Sequence, residues 1–275
     1  MTSTELLRAE QLCAAAAPLS DLPVLKGISF SLQAGEQVAL IGASGAGKTT
    51  LLQTLALAQR PLSGSLHWQG RDPWVLARRQ RQRLRGQICL APQSPPLPPR
   101  QRVVSAVLAG LLPQQSLWQS LRTLWNPPQA GRAFEALNML DVGDKLWLRV
   151  DRLSGGERQR VGLARLLVAD AQLWMADEPL AALDPARASQ ALQSLQLAAR
   201  QRGIALLCSL HQVELARSMF PRILALQDGE LVYDGPSAML SDELLQQFYG
   251  GDAVVSKAQA QPQAGLPGLP QAMCR

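Results

Sequence analysis

The stretch GASGAGKT, residues 42–49, constrains the fold more than any other part of the chain. Its spacing is that of a glycine loop closed by a lysine and a hydroxyl residue, G-x-x-x-x-G-K-[ST]. The apolar run QVALIG leads into it, and KTTLLQTLALAQ (48–59) leaves it with helical periodicity. A buried strand, a tight loop and a helix therefore follow one another. That order aims free backbone amides at one point, beside the positive end of a helix, where a phosphate fits. The amides of Gly45, Ala46 and Gly47 would wrap a β-phosphate, and Lys48 would reach the β and γ oxygens. The Thr49 hydroxyl would ligate magnesium, and Gly42, Ala43, Ser44 and Thr50 complete the cradle. Such a loop binds a nucleoside triphosphate.

A second element completes this chemistry. LWMADEP (173–179) reads as a buried strand that delivers two carboxylates at its C-terminal end, where open α/β sheets hold their ligands. Asp177 is placed to hold magnesium, and Glu178, pointing differently, to polarise an attacking water.

The rest of the chain alternates. Residues 28–42 read as a hairpin, SLHWQ (65–69) and QICLA (87–91) as short strands. Prolines cluster after residue 93, and VVSAVLAGLL and AGRAFEALNMLDVG carry helical periodicity. Beyond them come a strand (172–176), a helix (184–201), the strand IALLCSL, the helix QVELARSMF, and a hairpin in RILALQDGELVYDG with a DG-containing turn. A last helix is expected at about 237–248. Alternating strands and helices imply an α/β fold with a mostly parallel sheet covered on both faces. The expected organisation is an α/β core at about 1–95 and 166–250, a helical subdomain inserted at about 96–165, and a disordered tail at 251–275, rich in Gly, Pro, Gln and Ala.

Composition excludes some classes. No apolar run approaches the roughly 18–20 residues of a membrane span. The start MTSTELLRAEQL lacks a basic segment ahead of an apolar one, so no secretory signal is expected. Cys13, Cys89, Cys208 and Cys274 have no metal spacing and read as free thiols of a reducing compartment, the cytoplasm. The charge of +6 includes a run at 77–85, ARRQRQRLR, which reads as a solvated face, an anionic-membrane surface or a nucleic-acid surface. With no aromatic residue at 75–85, a base-stacking platform is not visible there.

LSGGERQR (153–160), an amphipathic helix and then the acidic strand, together with GASGAGKT, resemble the ATP-binding-cassette (ABC) ATPases, a branch of the P-loop NTPases. Their signature is LSGGQ, with Glu157 here in the last place, and the resemblance runs from about residue 10 to 250. It implies an antiparallel β subdomain beside the core, and ATP and Mg2+ as ligands. It also implies a head-to-tail dimer with a second copy of the chain, in which Ser154, Gly155, Gly156 and Glu157 complete the partner's nucleotide site. By the same resemblance Gln93 is the glutamine that touches magnesium and water, Asp184 in AALDP reaches across the dimer, and His211 is the switch histidine at the γ-phosphate. His67 has no such company. The family's adenine-stacking aromatic is missing from LCAAAAPLSDLPVLKG, so the base would rest on aliphatic groups near Ala17 or Pro18, and GTP would be used nearly as well as ATP.

RVVSAVLAGLL, SLWQSLRTLWNP, DEPLAALDP with Leu180 and Ala181, and SLHQVELARSMFPRILALQDGELVYDGP resemble the phosphonate-import ATPases. That implies peripheral attachment at the cytoplasmic face of the inner membrane, integral-membrane permease subunits as partners, and a periplasmic substrate-binding protein as an indirect one. Residues 96–112, with Arg100 and Arg102, would form the groove for a short helix of the permease. The alternatives are an exporter or an importer of another substrate, which share every catalytic motif, and a soluble ABC ATPase acting on nucleic acid or ribosomes. No nucleic acid is expected: a single cassette with no sustained heptads does not match the last class.

Overall fold

The computed structural model describes residues 4–16, 22–115, 118 and 127–249. Ala17, Pro18, most of SLWQSLRTLWNP and the 251–275 tail lie outside them. Met1–Leu240 is one compact unit and Ser241–Arg275 a second, in which Asp242–Tyr249 is helical and the Ser241 hydroxyl accepts the Leu244 N–H.

Two sheets make up the first unit. Strands β1 (Glu5–Ala15), β2 (Pro23–Gln33) and β4 (Ser63–Trp68) form an antiparallel sheet in the order β2-β1-β4. Strands β3 (Gln37–Gly42), β5 (Ile88–Ala91), β6 (Leu173–Ala176), β7 (Ala205–Leu210), β8 (Arg222–Gln227) and β9 (Glu230–Pro236) form the larger sheet. Its order is β5-β6-β7-β3-β8-β9, parallel except for β9. The β8–β9 hairpin forms as expected, with Asp228 and Gly229 at positive φ in its turn.

Residues 28–42 are not a hairpin. The chain turns at Gly35 (φ 73°), but β2 pairs with β1, whereas β3 pairs with β7 and β8. The cause lies in the two burial patterns. β2 alternates and can face solvent on one side, while every residue of β3 is buried, as a central strand of a parallel sheet requires. β1, the true partner, lies in ELLRAEQLCAA, whose Ala, Glu and Leu content favours no strand. One side chain ties the sheets together. The Arg222 guanidinium on β8 donates to Asp234 at 2.7 Å, Glu36 at 2.8 Å and the Ser31 carbonyl at 2.9 Å, and the Asp234 and Glu36 carboxylates raise its pKa further.

The described helices of the first unit include α1 (Lys48–Leu55), α2 (Arg78–Arg85), α3 (Val103–Leu108), α4 (Ala130–Asn138), α5 (Gly155–Val168), α6 (Pro185–Arg202) and α7 (Val213–Met219). Helix α1 is shorter than its apolar pattern, because the chain turns at Leu57, which has φ 58°. Between β5 and β6, every described element is helical apart from an isolated bridge, and α3 and α4 both pack on α5. The end of the chain pattern also differs: 237–239 is a 3₁₀ turn and the helix begins only at Asp242. The described thiols are free, and burial pushes Cys89 up to about 11 and Cys208 to about 12, which leaves both unreactive at neutral pH.

Candidate functional site

Four neighbouring parallel strands, β5, β6, β7 and β3, end on one edge of the larger sheet, and each hands a polar group to the same place. β3 ends at Gly42 and opens the glycine loop. A Cβ on Gly42 would sit 2.6 Å from the Leu226 carbonyl oxygen, so no side chain fits there. Gly45 and Gly47 hold φ of 85° and 101°, which only glycine adopts without strain. At Gly47 a Cβ would also meet Leu25 of β2 at 2.8 Å.

Lys48 is almost wholly buried at the start of α1. Its ammonium donates to the carbonyls of Gly42 (2.8 Å) and Ala43 (3.1 Å) and lies 3.8 Å from Glu178 Oε1. Burial pushes its pKa down, and the charges of Glu178 and Asp177 oppose that. The Thr49 hydroxyl, at the start of α1, donates to Asp177 Oδ2 at 2.8 Å, so the two residues expected to hold magnesium already touch.

Glu178 is the hub. Gln93, just past β5, donates from Nε2 to its Oε2 at 2.6 Å, and His211, just past β7, places Nε2 2.6 Å from its Oε1. Glu178 itself has φ 45°, a left-handed conformation that costs a non-glycine residue about 1–3 kcal/mol and recurs at active sites. Its N–H donates to the Ser209 hydroxyl at 2.8 Å. Ser209, fully buried on β7, in turn donates to Asp177 Oδ1 at 2.7 Å. One hydroxyl therefore fixes both carboxylate residues. Nothing in the sequence reading singled out Ser209; the available signal was a serine inside the otherwise apolar run ALLCSL, beside the strand carrying Asp177.

Lys48, Thr49, Gln93, Asp177, Glu178 and His211 are thus brought together. The second group is built separately. Ser154 caps α5: its hydroxyl accepts the Glu157 N–H (3.3 Å), and the Glu157 carboxylate accepts the Ser154 N–H (2.8 Å). That backbone donor, foremost, holds the Glu157 carboxyl below its usual range, with Lys145 3.6 Å away adding to it. Asp184 caps α6 through the Arg187 N–H at 3.0 Å. The two caps are neighbours, since a Cβ on Gly156 would lie 3.0 Å from the Ala182 carbonyl, and Gln159 donates to the Pro179 carbonyl at 3.1 Å. Ser154 and Gly155 are exposed, and a Cβ on Gly155 would meet nothing within 4 Å. Neither residue has a hydrogen bond to the glycine loop of its own chain.

The segment after Gln93 borders a cleft of about 190 Å3, lined by Pro92, Pro95, Pro96, Ala109, Gly110 and Pro113 among others; Arg100 and Arg102 are exposed nearby in sequence. No described helix is long and apolar enough to cross a membrane.

The family model for ABC transporters matches residues 25–181. The phosphonates import ATP-binding protein PhnC of Polaromonas sp. (strain JS666) is 59% identical over 225 residues, 82% of this chain and 81% of that one. The PhnC of Pseudomonas fluorescens (strain Pf0-1) is 49% identical over 236 residues, 86% and 89% of the two chains. Among solved structures, the ATP-binding cassette MJ0796, dimeric and bound to ADP and Pi, aligns with a TM-score of 0.73 at 24% identity, over 84% of this chain and 99% of that one. The cbiO1 protein of Clostridium perfringens, part of the ABC transporter complex cbiONQ, aligns at 0.71 and 22%, over 93% and 98%. At these identities the two structures speak to the fold.

Proposed function

The chain belongs to the ABC transporter family of ATP-binding proteins, and from that premise we propose that it hydrolyses ATP to drive uptake of phosphonate or a related phosphorus oxyanion through a partner permease. The observation that carries hydrolysis is the meeting of Lys48, Thr49, Gln93, Asp177 and His211 around Glu178. The substrate class rests on the close relatives named for phosphonate import.

The loop amides of Gly45, Ala46 and Gly47 cradle the β-phosphate. Lys48 exchanges the carbonyls of its own loop for phosphate oxygens, a favourable exchange for a cation kept dry. The hydroxyl of Thr49, the carboxylate of Asp177 and the amide oxygen of Gln93 are hard oxygen donors, a set that suits Mg2+, and the contact between the first two supports the fit. When bound, the ion neutralises charge on the phosphates. Glu178 orients and polarises the attacking water once Gln93 and His211 turn toward nucleotide, and His211 senses the γ-phosphate.

Two copies enclose two nucleotides. Ser154, Gly155, Gly156 and Glu157 of one copy close on the γ-phosphate in the other's cradle, and Asp184 reaches across beside them. The exposure of Ser154, Gly155 and Asp184, and the lack of a hydrogen bond from Ser154 or Gly155 to their own glycine loop, support that reading. The cleft after Gln93 receives a short helix of the permease, at the cytoplasmic face of the inner membrane. A periplasmic binding protein supplies substrate from the other side.

The test is growth of the source organism with Lys48→Ala at the native locus, on phosphate, a small alkylphosphonate or phosphite as sole phosphorus source. Loss of growth on phosphonate or phosphite with growth on phosphate intact is expected. Normal growth on all three overturns the substrate class.

A further inference from the structure

Between Pro73 and Phe134 the sequence has nine arginines and not one lysine, aspartate or glutamate. The whole chain carries only +6, so everything outside that stretch is net negative. Five of those arginines stand on α2, RRQRQRLR, whose one buried residue is Leu84. Arg79 and Arg83 lie one turn apart with no acidic residue on the helix to offset them, which works against the helix. Arg78, Arg79 and Arg83 are exposed. Arg85 turns inward to the Leu57 carbonyl, and Arg81 lies 5.3 Å above the Trp74 ring. Just ahead of the helix, Val75 is 79% exposed, and the buried Trp74 N–H has no partner. A cleft of about 390 Å3 opens between α2 and β4, lined by Arg71, Arg83, Gln69, Gln80 and Gln87.

Guanidinium groups recognise phosphodiesters, and an exposed aliphatic such as Val75 can rest among the headgroups. An arginine cluster of this size on one helix matches anionic-lipid recognition. We propose that α2, with Val75 before it, docks on the anionic phospholipid headgroups of the membrane around the permease. Its position supports this: the Gln114 side chain donates to the Gly86 carbonyl at 2.7 Å, so the end of α2 is fastened to the 3₁₀ turn that follows α3. That turn borders the cleft assigned above to the permease helix. The location at a membrane rests on the importer reading, while the affinity for lipid does not. Single-stranded nucleic acid offers similar charge but needs open aromatic faces, and the Trp74 face is covered by Arg81.

The experiment sediments the full-length chain with vesicles of phosphatidylcholine alone, or mixed with phosphatidylglycerol. Binding is expected to the mixed vesicles only. It should disappear as the Debye length shrinks from about 10 Å at 0.1 M salt to about 3 Å at 1 M. At about fivefold per arginine, Arg78→Gln, Arg79→Gln and Arg83→Gln together should weaken it about a hundredfold, with nucleotide binding retained as proof of folding. Equal binding to both vesicle types, or an undiminished triple variant, overturns the proposal. So does a duplex oligonucleotide that displaces the protein from mixed vesicles when supplied at a lower phosphate concentration than the lipid. No permease is present in the assay, so failure leaves the importer reading standing.

Discussion

Ser209 shows how much one small side chain can hold. Its hydroxyl is spent on two residues at once, accepting from the Glu178 backbone and donating to the Asp177 carboxylate. Ser209→Ala leaves a buried donor and a buried acceptor unmet, at about 1–3 kcal/mol each in an otherwise dry strand. The expected outcome is a fall of about 10- to 100-fold in ATPase turnover, with apparent Mg2+ affinity weakened in step. A merely structural serine would lower the melting temperature and leave the Mg2+ titration unmoved, so titrating Mg2+ against rate separates the two. Ser209→Thr keeps the hydroxyl and should restore the Mg2+ response. The other polar groups at the site were legible because their spacing to glycines or to strand ends has a chemical reason. Ser209 was not, since its partners are a strand away in space and far along the chain. The left-handed backbone of Glu178 was equally invisible: no local sequence rule asks a glutamate for positive φ.

At the scale of elements, the signature helix α5 makes a pH-dependent prediction. The Glu157 carboxyl is held below its ordinary 4.5, so the stability it adds is complete above that value and is lost as pH falls through its lower folded value. Glu157→Gln keeps an acceptor for the Ser154 N–H but removes the charge. The wild type should therefore melt higher at neutral pH, by at most about 2 °C for a carboxylate that water still reaches, and the gap should close below pH 4.5. Melting curves of both proteins across that range check it; a gap that persists unchanged under acid refutes the role of the charge. Helices with caps were readable here, as α6 was from Asp184 followed by Pro185. Strand partners were not. β2 and β3 adjoin in sequence and look like a hairpin, yet the choice between sheets was made by β1, whose residues favour no strand and gain their order from pairing on both sides.

For the whole molecule, the two proposed phosphate-binding elements predict a dimer that lives only as long as its nucleotide. Glu178→Gln removes the charge on the group proposed to polarise water while leaving an amide of the same shape, so ATP should bind and persist. In gel filtration with ATP and Mg2+, this variant should elute as a dimer and without nucleotide as a monomer. A chain that stays monomeric in both conditions refutes the shared site.

The missing side chain of Gly47 has a wider consequence. The phosphate loop leans there on Leu25, and the β8–β9 turn leans on the same strand, the Lys26 N–H donating to the Gly229 carbonyl at 2.8 Å. The small sheet and the cradle are thus seated on one rail. The residues just ahead of that rail are where the family resemblance puts the base. With the base resting there, a nucleotide would be gauged from a single reference edge, and we expect its phosphates to be checked more stringently than the identity of its purine.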